Sequence, residues 1–460
     1  MGSHVSASIF KAYDIRGVVG ETLTEEVVYN IGRAIGSEAA ARQQKTVAVA
    51  RDGRLSGAAF VAALTRGLRD SGRDVIDVGM VPTPLLYFAT HHLGIGSGVM
   101  VTGSHNPANY NGFKMVLAEE TLAEAAIQGL RHRIETDDYT RGDEGAYRAL
   151  DIIPDYLAQV VGDIKLSRPL KVVVDCGNGV AGVIAPALFK KLGCDVVELF
   201  CEVDGHFPNH HPDPSQPENL QDMIAAVKAH HADLGFAFDG DGDRLGVVDA
   251  TGHVIWPDRQ MMLYATDVLS RNPGGEIIFD IKCSNHLAKV IEAQGGKALM
   301  WKTGHSLIKA KMRESGALLA GEMSGHIFFK ERWYGFDDGL YTGARLLEIL
   351  TASDVAPQAQ FAALPEAFST PELQVKMEEG AHHAFIKRFL AEVSFDEGEI
   401  NTIDGMRVDF GEGWGLVRAS NTTPCLVIRF EADSDAALKR IQNDFKAAML
   451  KIEPDLALPF

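Results

Sequence analysis

Directly after the apolar run Leu234-Gly235-Phe236-Ala237-Phe238 the chain reads Asp239-Gly240-Asp241-Gly242-Asp243-Arg244, so a strand ends in three carboxylates spaced by glycines. Glycine frees the backbone to turn alternate aspartates onto one centre. Each pair of carboxylates ~4 Å apart then costs about 4 kcal/mol at an effective dielectric of ~20, and a cation must share the site. An all-oxygen ligand set favours magnesium or calcium over zinc. An EF-hand loop needs Gly at its sixth position and Glu at its twelfth, where this chain has Arg244 and Ala250, and that reading fails.

A second chemical loop, Thr102-Gly103-Ser104-His105-Asn106-Pro107, follows the apolar stretch from Ile95 to Val101 and presents Ser104 at a strand end. Neighbouring side chains on an extended chain point to opposite sides, so His105 beside Ser104 does not by itself make a hydrolase pair. No G-x-S-x-G elbow occurs. A phosphoryl-acceptor serine fits better, because its phosphate would offer a metal one more oxygen beside the aspartates. Lys114, in Asn111-Gly112-Phe113-Lys114, supplies an amine able to act as acid or base where neighbouring cations depress its pKa. In Gly321-Glu322-Met323-Ser324-Gly325-His326, Glu322 and Ser324 suit paired sugar hydroxyls and His326 can exchange a proton. Arg418-Ala419-Ser420-Asn421-Thr422-Thr423-Pro424, with Arg429 on the next strand, offers a guanidinium, hydroxyls and loop amides, a phosphate cradle without a P-loop.

The elements that must hold these loops recur. A strand, an acidic residue, a turn, an amphipathic helix, glycine and a second strand appear at Val47–Val78, Val172–Leu199 and Ile277–Met300. Each copy predicts a βαβ unit, hence three α/β domains with mixed sheets. From about Pro365 the pattern gives way to short strands at 407–410, 414–417 and 426–430 and a helix over 434–450, a smaller α+β domain. The expected boundaries are 1–153, 154–256, 257–364 and 365–460, and loops from different domains imply a central cleft. In the second copy, Gly177-Asn178-Gly179-Val180-Ala181-Gly182 matches the dinucleotide fingerprint, with Asp195 and Glu198 about 20 residues on. The other copies lack those glycines, which favours a tight strand-to-helix turn and leaves an NAD-dependent oxidoreductase as the alternative.

Composition narrows the class. The 460 residues are 46% hydrophobic and 23% charged, ordinary for a globular protein, and the net charge of −18 argues against nucleic-acid binding. Five scattered cysteines without a C-x-x-C pair suggest a reducing compartment and neither zinc nor a disulfide framework. No long apolar run or basic-then-apolar leader appears, so the expectation is a cytoplasmic chain without membrane contact. Met1-Gly2-Ser3-His4 reads as a cloning scar.

Taken together with Tyr13-Asp14-Ile15-Arg16-Gly17, these loops resemble, in order and along the whole chain, the α-D-phosphohexomutase family in its phosphoglucomutase/phosphomannomutase branch. The resemblance implies four domains around a cleft, a phosphoserine at Ser104, and magnesium held by its phosphate with Asp239, Asp241 and Asp243. It implies exchange of hexose 1-phosphate and hexose 6-phosphate, for glucose and mannose, through a 1,6-bisphosphate intermediate, with glucose 1,6-bisphosphate as activator. Lys114 and His326 become the proton-transfer groups, Arg16 and Arg244 cations at the reacting phosphate, and His105 their neighbour in the catalytic set. Glu322 and Ser324 are assigned to sugar O3 and O4. Arg418, Ser420, Asn421, Thr422, Thr423 and Arg429 are assigned to the distal phosphate, and Tyr13, Lys282, His305 and Trp301 to further substrate contacts. Met323 fits this branch better than the phosphoglucosamine mutase branch, which usually has Gln there. Gly103 departs from the family's usual Ala or Ser, and the expectation is a more mobile loop. A monomer or weak dimer acting on small sugar phosphates completes the reading.

Overall fold

The computed structural model describes residues 5–395 and 397–460; the scar-like start, Met1 to His4, lies outside them. Four sheets are present among the described residues. In the first, the strand order Asp74–Met80, Thr46–Arg51, Gly98–Val101, Tyr110–Leu117 places three parallel strands beside one antiparallel strand. The second repeats it with Asp195–Leu199, Lys171–Asp175, Leu234–Phe238 and Leu245–Asp249, and the third with Lys297–Trp301, Glu276–Asp280, Leu319–Gly321 and Ile327–Phe329. Three copies of one topology thus confirm the repeated βαβ reading. The copies are mixed because the last strand of each returns by a short connection, which only an antiparallel partner permits. The last sheet is wholly antiparallel, with the long pair Gly413–Ala419 and Cys425–Ala432 at its centre and the helix Asp435–Ile452 packed on it.

Buried Val and Ile fill the central strands, as expected for sheets covered on both faces. One apolar cluster runs from Ala48 through Phe88, Phe236 and Phe279 to Phe361, so the three repeats share a core, while the last sheet keeps its own around Phe389, Phe430 and Phe445. That last unit docks by packing Trp414 and Leu416 on Ile281 and by polar contacts: Arg407, stacked 3.7 Å over the Trp414 ring, donates to Cys283 O at 2.9 Å, and Ser284 Oγ donates to Glu431 at 2.9 Å. No helix among the described residues is long and apolar enough to cross a membrane.

The glycine fingerprint of the second copy is spent on packing. Gly177 sits at φ +50°, a Cβ on Gly179 would meet the Gly240 backbone at 3.0 Å, and one on Gly182 would meet Cys201 O at 2.0 Å. A 3-10 turn, Val180–Val183, follows instead of a long helix whose N-terminus could face a pyrophosphate. The same turn brings the scattered Cys176 and Cys201 to an Sγ–Sγ separation of 3.5 Å, a convergence that their sequence spacing hides.

Asp338 carries a pH dependence in this scaffold. It caps the helix Gly339–Thr351, accepting from Tyr341 N at 2.9 Å and from the Tyr156 hydroxyl at 2.9 and 3.0 Å. Burial outweighs those donors and raises its carboxyl to about 7. In the unfolded chain the same group ionises near the ordinary ~3.9, so the raised folded value contributes stability below that pH, and it is lost as pH rises through about 7. Its size is on the order of 4 kcal/mol. Urea denaturation should therefore show stability falling between about pH 4 and pH 7, and Asp338→Asn, which keeps an acceptor, should flatten that slope.

Candidate active site

Each repeat contributes its chemistry from the same place, the connection between its third, parallel strand and its fourth, antiparallel one. Ser104 lies between Gly98–Val101 and Tyr110–Leu117, the aspartates between Leu234–Phe238 and Leu245–Asp249, and Glu322 to His326 between Leu319–Gly321 and Ile327–Phe329. Loops at the carboxyl ends of parallel strands are where open α/β sheets place ligands. These three are joined by backbone. A Cβ on Gly240 would lie 2.3 Å from Ser104 O, Thr83 N donates to Asp241 O at 2.8 Å, and Arg244 and His326 form an antiparallel bridge.

Asp239, Asp241 and Asp243 are fully buried and offer oxygens that all lie within 4.8 Å of one another. Asp241 Oδ1 and Asp243 Oδ1 have no hydrogen-bond partner, which is the condition of carboxylates shaped for a cation. Lys114 Nζ stands 2.7 Å from Asp241 Oδ2 and 2.5 Å from Asp243 Oδ2. Burial alone would lower this amine, but Asp241 and Asp243 outweigh burial and raise it well above its ordinary value. The expected depression by cations is thus reversed, because the nearest charges to Lys114 are carboxylates. Asp241 is correspondingly held low by Lys114 and Thr83 against burial, while burial and its two neighbours drive Asp239 up.

Ser104 Oγ lies 3.2 Å from Asp239 Oδ2 and 3.2 Å from His105 Nδ1. Adjacency does bring the serine and histidine together, contrary to the extended-chain expectation, because Ser104 sits at φ +48° and not in a strand conformation. Burial first, then Arg244 and Arg16, push His105 well below the usual histidine range, so its ring is neutral. Arg16 pairs with Asp14 and donates to Asn106 of the serine loop. The Gly103 expectation is also overturned: a Cβ there would fall 2.5 Å from Arg54 Cζ, and the loop is packed against a buried guanidinium instead of being loosened.

Above this centre opens a cleft of about 560 Å³. Arg244, His105 and His326 line its inner end, and Arg418 and Ser420 to Thr423 line it from the last domain. Arg244 Nε donates to His326 Nε2 at 3.0 Å, and His326 Nδ1 faces Asp337 Oδ2 at 3.0 Å. Glu322 accepts from Gly304 N at 3.1 Å and from Ser324 Oγ at 3.0 Å, and burial raises its carboxyl despite His326. Arg418 is oriented by Asp404 at 3.0 Å, Lys282 by Glu372 at 2.8 Å, and Arg429 by Asp258 at 3.0 Å; all three cations line the cleft. Tyr13 donates to Thr303 O at 2.9 Å and receives Asn421 Nδ2, tying three domains at the rim, and His305 also lines the cleft. Trp301 does not join them, since its ring packs beneath Lys311 at 4.6 Å, beside the Ile308 cluster. Sequence reasoning missed Asp337, Asp404, Glu372 and Thr83, which orient the named residues; only folding places them, although the doubled acid Asp337-Asp338 before a helix was a usable signal.

Comparison with known proteins agrees domain by domain. Residues 7–141, 154–252, 256–368 and 372–448 match, in turn, phosphoglucomutase/phosphomannomutase alpha/beta/alpha domains I, II and III and the C-terminal domain. This chain belongs to the phosphoglucomutase/phosphomannomutase family. A phosphomannomutase/phosphoglucomutase of Pseudomonas putida is 59% identical over 453 residues, 98% of each chain. A phosphoglucomutase of Neisseria gonorrhoeae is 56% identical over 458 residues, 99% of each. The crystal structure of a phosphoglucomutase/phosphomannomutase family protein from Burkholderia thailandensis superimposes with a TM-score of 0.94 at 57% identity, covering 99% of this chain and 100% of that one. The four-domain architecture, three α/β units and a C-terminal domain, is therefore the family fold.

Proposed function

We propose that the chain is a phosphohexomutase interconverting hexose 1-phosphate and hexose 6-phosphate, for glucose and mannose, by way of a phosphoserine at Ser104 and a bound 1,6-bisphosphate. The observation that carries this reading is a buried serine hydroxyl 3.2 Å from a three-aspartate cluster. The distal phosphate is assigned to Arg418, Ser420, Asn421, Thr422 and Thr423, whose guanidinium and hydroxyls face the same cleft. Charge-assisted donors of this kind are the strong ones for phosphate.

The metal reading is magnesium on Asp239, Asp241 and Asp243, since three carboxylates with two unpartnered oxygens suit a hard cation. When bound, it supplies neutralisation of charge on the transferring phosphoryl group. The chain's own residues do the rest. Arg244, anchored to His326, and Arg16 place positive charge at the reacting end. Lys114 holds or releases a proton at the sugar hydroxyl, and its carboxylate partners set that balance. Glu322 and Ser324, the serine proton already given to Glu322, accept from the O3 and O4 hydroxyls of the sugar. Phosphate transfer from Ser104 forms the bisphosphate; that intermediate turns over in the cleft, and its other phosphate returns to Ser104 as the product leaves.

Contacts to O3 and O4 do not sense C2, the one position where glucose and mannose differ, which supports dual specificity. Purified protein with magnesium and a trace of glucose 1,6-bisphosphate should convert glucose 1-phosphate to glucose 6-phosphate and turn over mannose 1-phosphate in the same assay. Net release of inorganic phosphate, or a large preference for glucosamine 1-phosphate, would overturn the assignment.

A further inference from the structure

The loop that carries Ser104 is held by a residue outside the cleft. Arg54, 2% exposed, uses all five N–H donors of its guanidinium. Nη1 donates to Pro107 O at 2.6 Å and Tyr110 O at 2.8 Å, and Nη2 to Ser104 O at 2.9 Å and Asn106 O at 2.6 Å. Nε donates to Asp52 Oδ2 at 3.2 Å. Three of the five bonds therefore end on carbonyls of the loop, one of them that of Ser104 itself, and a fourth on Tyr110, where the next strand begins. Asp52 continues the frame: its Oδ2 accepts from Thr102 Oγ1 at 2.7 Å, and Thr102 Oγ1 in turn accepts from Ser104 N at 2.8 Å.

Such a clamp has a physical reason. Ser104 is in the left-handed region, a conformation that strains a non-glycine residue and persists only where the surroundings fix it. Both peptide planes flanking Ser104 are fixed here, the preceding one through Thr102 and the following one through Arg54. Gly103 leaves the space the guanidinium occupies, and Phe207 of the second domain lies 5.3 Å from its centre.

We infer that Arg54 is a positioning residue for phosphoryl transfer: it sets the Ser104 peptide so that Oγ and its phosphate face the aspartate cluster, and it touches neither sugar nor phosphate. This rests on the phosphoserine reading above. A displacement of the nucleophile by about 1 Å is worth about 100-fold in rate.

The test follows transfer of labelled phosphate from glucose 1,6-bisphosphate to Ser104, with kcat, KM and the melting temperature measured alongside, in the full chain. In Arg54→Ala, labelling and kcat should fall about 100-fold with KM for glucose 1-phosphate within about twofold, the signature of lost transition-state geometry. Added guanidinium should restore part of the rate. Arg54→Lys should stay folded and label at least about 10-fold slowly, because an ammonium has three donors and no planar fork; this variant carries the test if the alanine variant does not fold. Labelling of folded Arg54→Lys at the wild-type rate overturns the inference. So does a kcat loss in Arg54→Ala that merely tracks the unfolded fraction and does not respond to guanidinium. Wild type that takes no label at Ser104 sinks the phosphoserine reading and this inference together, whereas labelled wild type with equally labelled variants sinks the inference alone.

Discussion

Ser104→Ala is expected to lose about 10⁴-fold or more in turnover of glucose 1-phosphate, with glucose 1,6-bisphosphate present, while remaining folded. The Ser104 hydroxyl lies beside the aspartate cluster, 3.2 Å from Asp239 Oδ2. Its removal leaves the three aspartates, Arg244 and the distal phosphate loop intact, so binding of the bisphosphate should persist while exchange stops. Deleting one oxygen opens little space, and the backbone contacts that fix residue 104 involve its N–H and C=O, not its side chain. Intact mass should show a phosphate gained by wild type and none by the variant. A variant that turns over normally, with the bisphosphate present, is incompatible with a phosphoserine mechanism.

The second large effect is expected at Lys114, and its size depends on magnesium. This ammonium is the counter-charge of Asp241 and Asp243, all three buried. Lys114→Met leaves those carboxylates uncompensated, a change that costs roughly 3–5 kcal/mol when one partner of a buried pair is removed. A divalent cation on the same carboxylates supplies the missing charge and stabilises by mass action. Urea denaturation should therefore show a large loss in EDTA and a much smaller one in magnesium chloride. Activity should stay depressed by about 10²–10⁴-fold even in magnesium, since the cation replaces the charge but not the proton transfer. Equal stability of wild type and variant in EDTA would remove the counter-charge role, and full activity of the variant in magnesium would remove the proton-transfer role.

Much of this arrangement was legible before folding because it is local. The repeat of strand, turn, helix and strand reports burial on a sheet, and the clustered aspartates, the serine loop and the two polar loops are each contiguous in the chain. Local signals failed where a residue's partners come from elsewhere. The neighbours of Lys114 are some 130 residues away, so the sequence could not say that carboxylates, not cations, surround it. Gly103 read as slack because nothing in its own segment announces Arg54, about 50 residues earlier. Gly177 to Gly182 matched a fingerprint because the demand for close backbone approach is the same whether the approaching group is a pyrophosphate or Gly240.

By itself the sequence determined the kinds of chemistry present, an acidic cation site, a hydroxyl nucleophile, a sugar-binding pair and a phosphate cradle, and the repeated units that carry them. Only the tertiary structure decided that three of these occupy equivalent turns of three equivalent sheets and meet, that Ser104 is held left-handed beside His105, and which charges each buried group feels. The reason is range: propensity and spacing act over a few residues, whereas the charge balance of Lys114 and the geometry of Ser104 are set by groups that share a buried volume, not a stretch of chain.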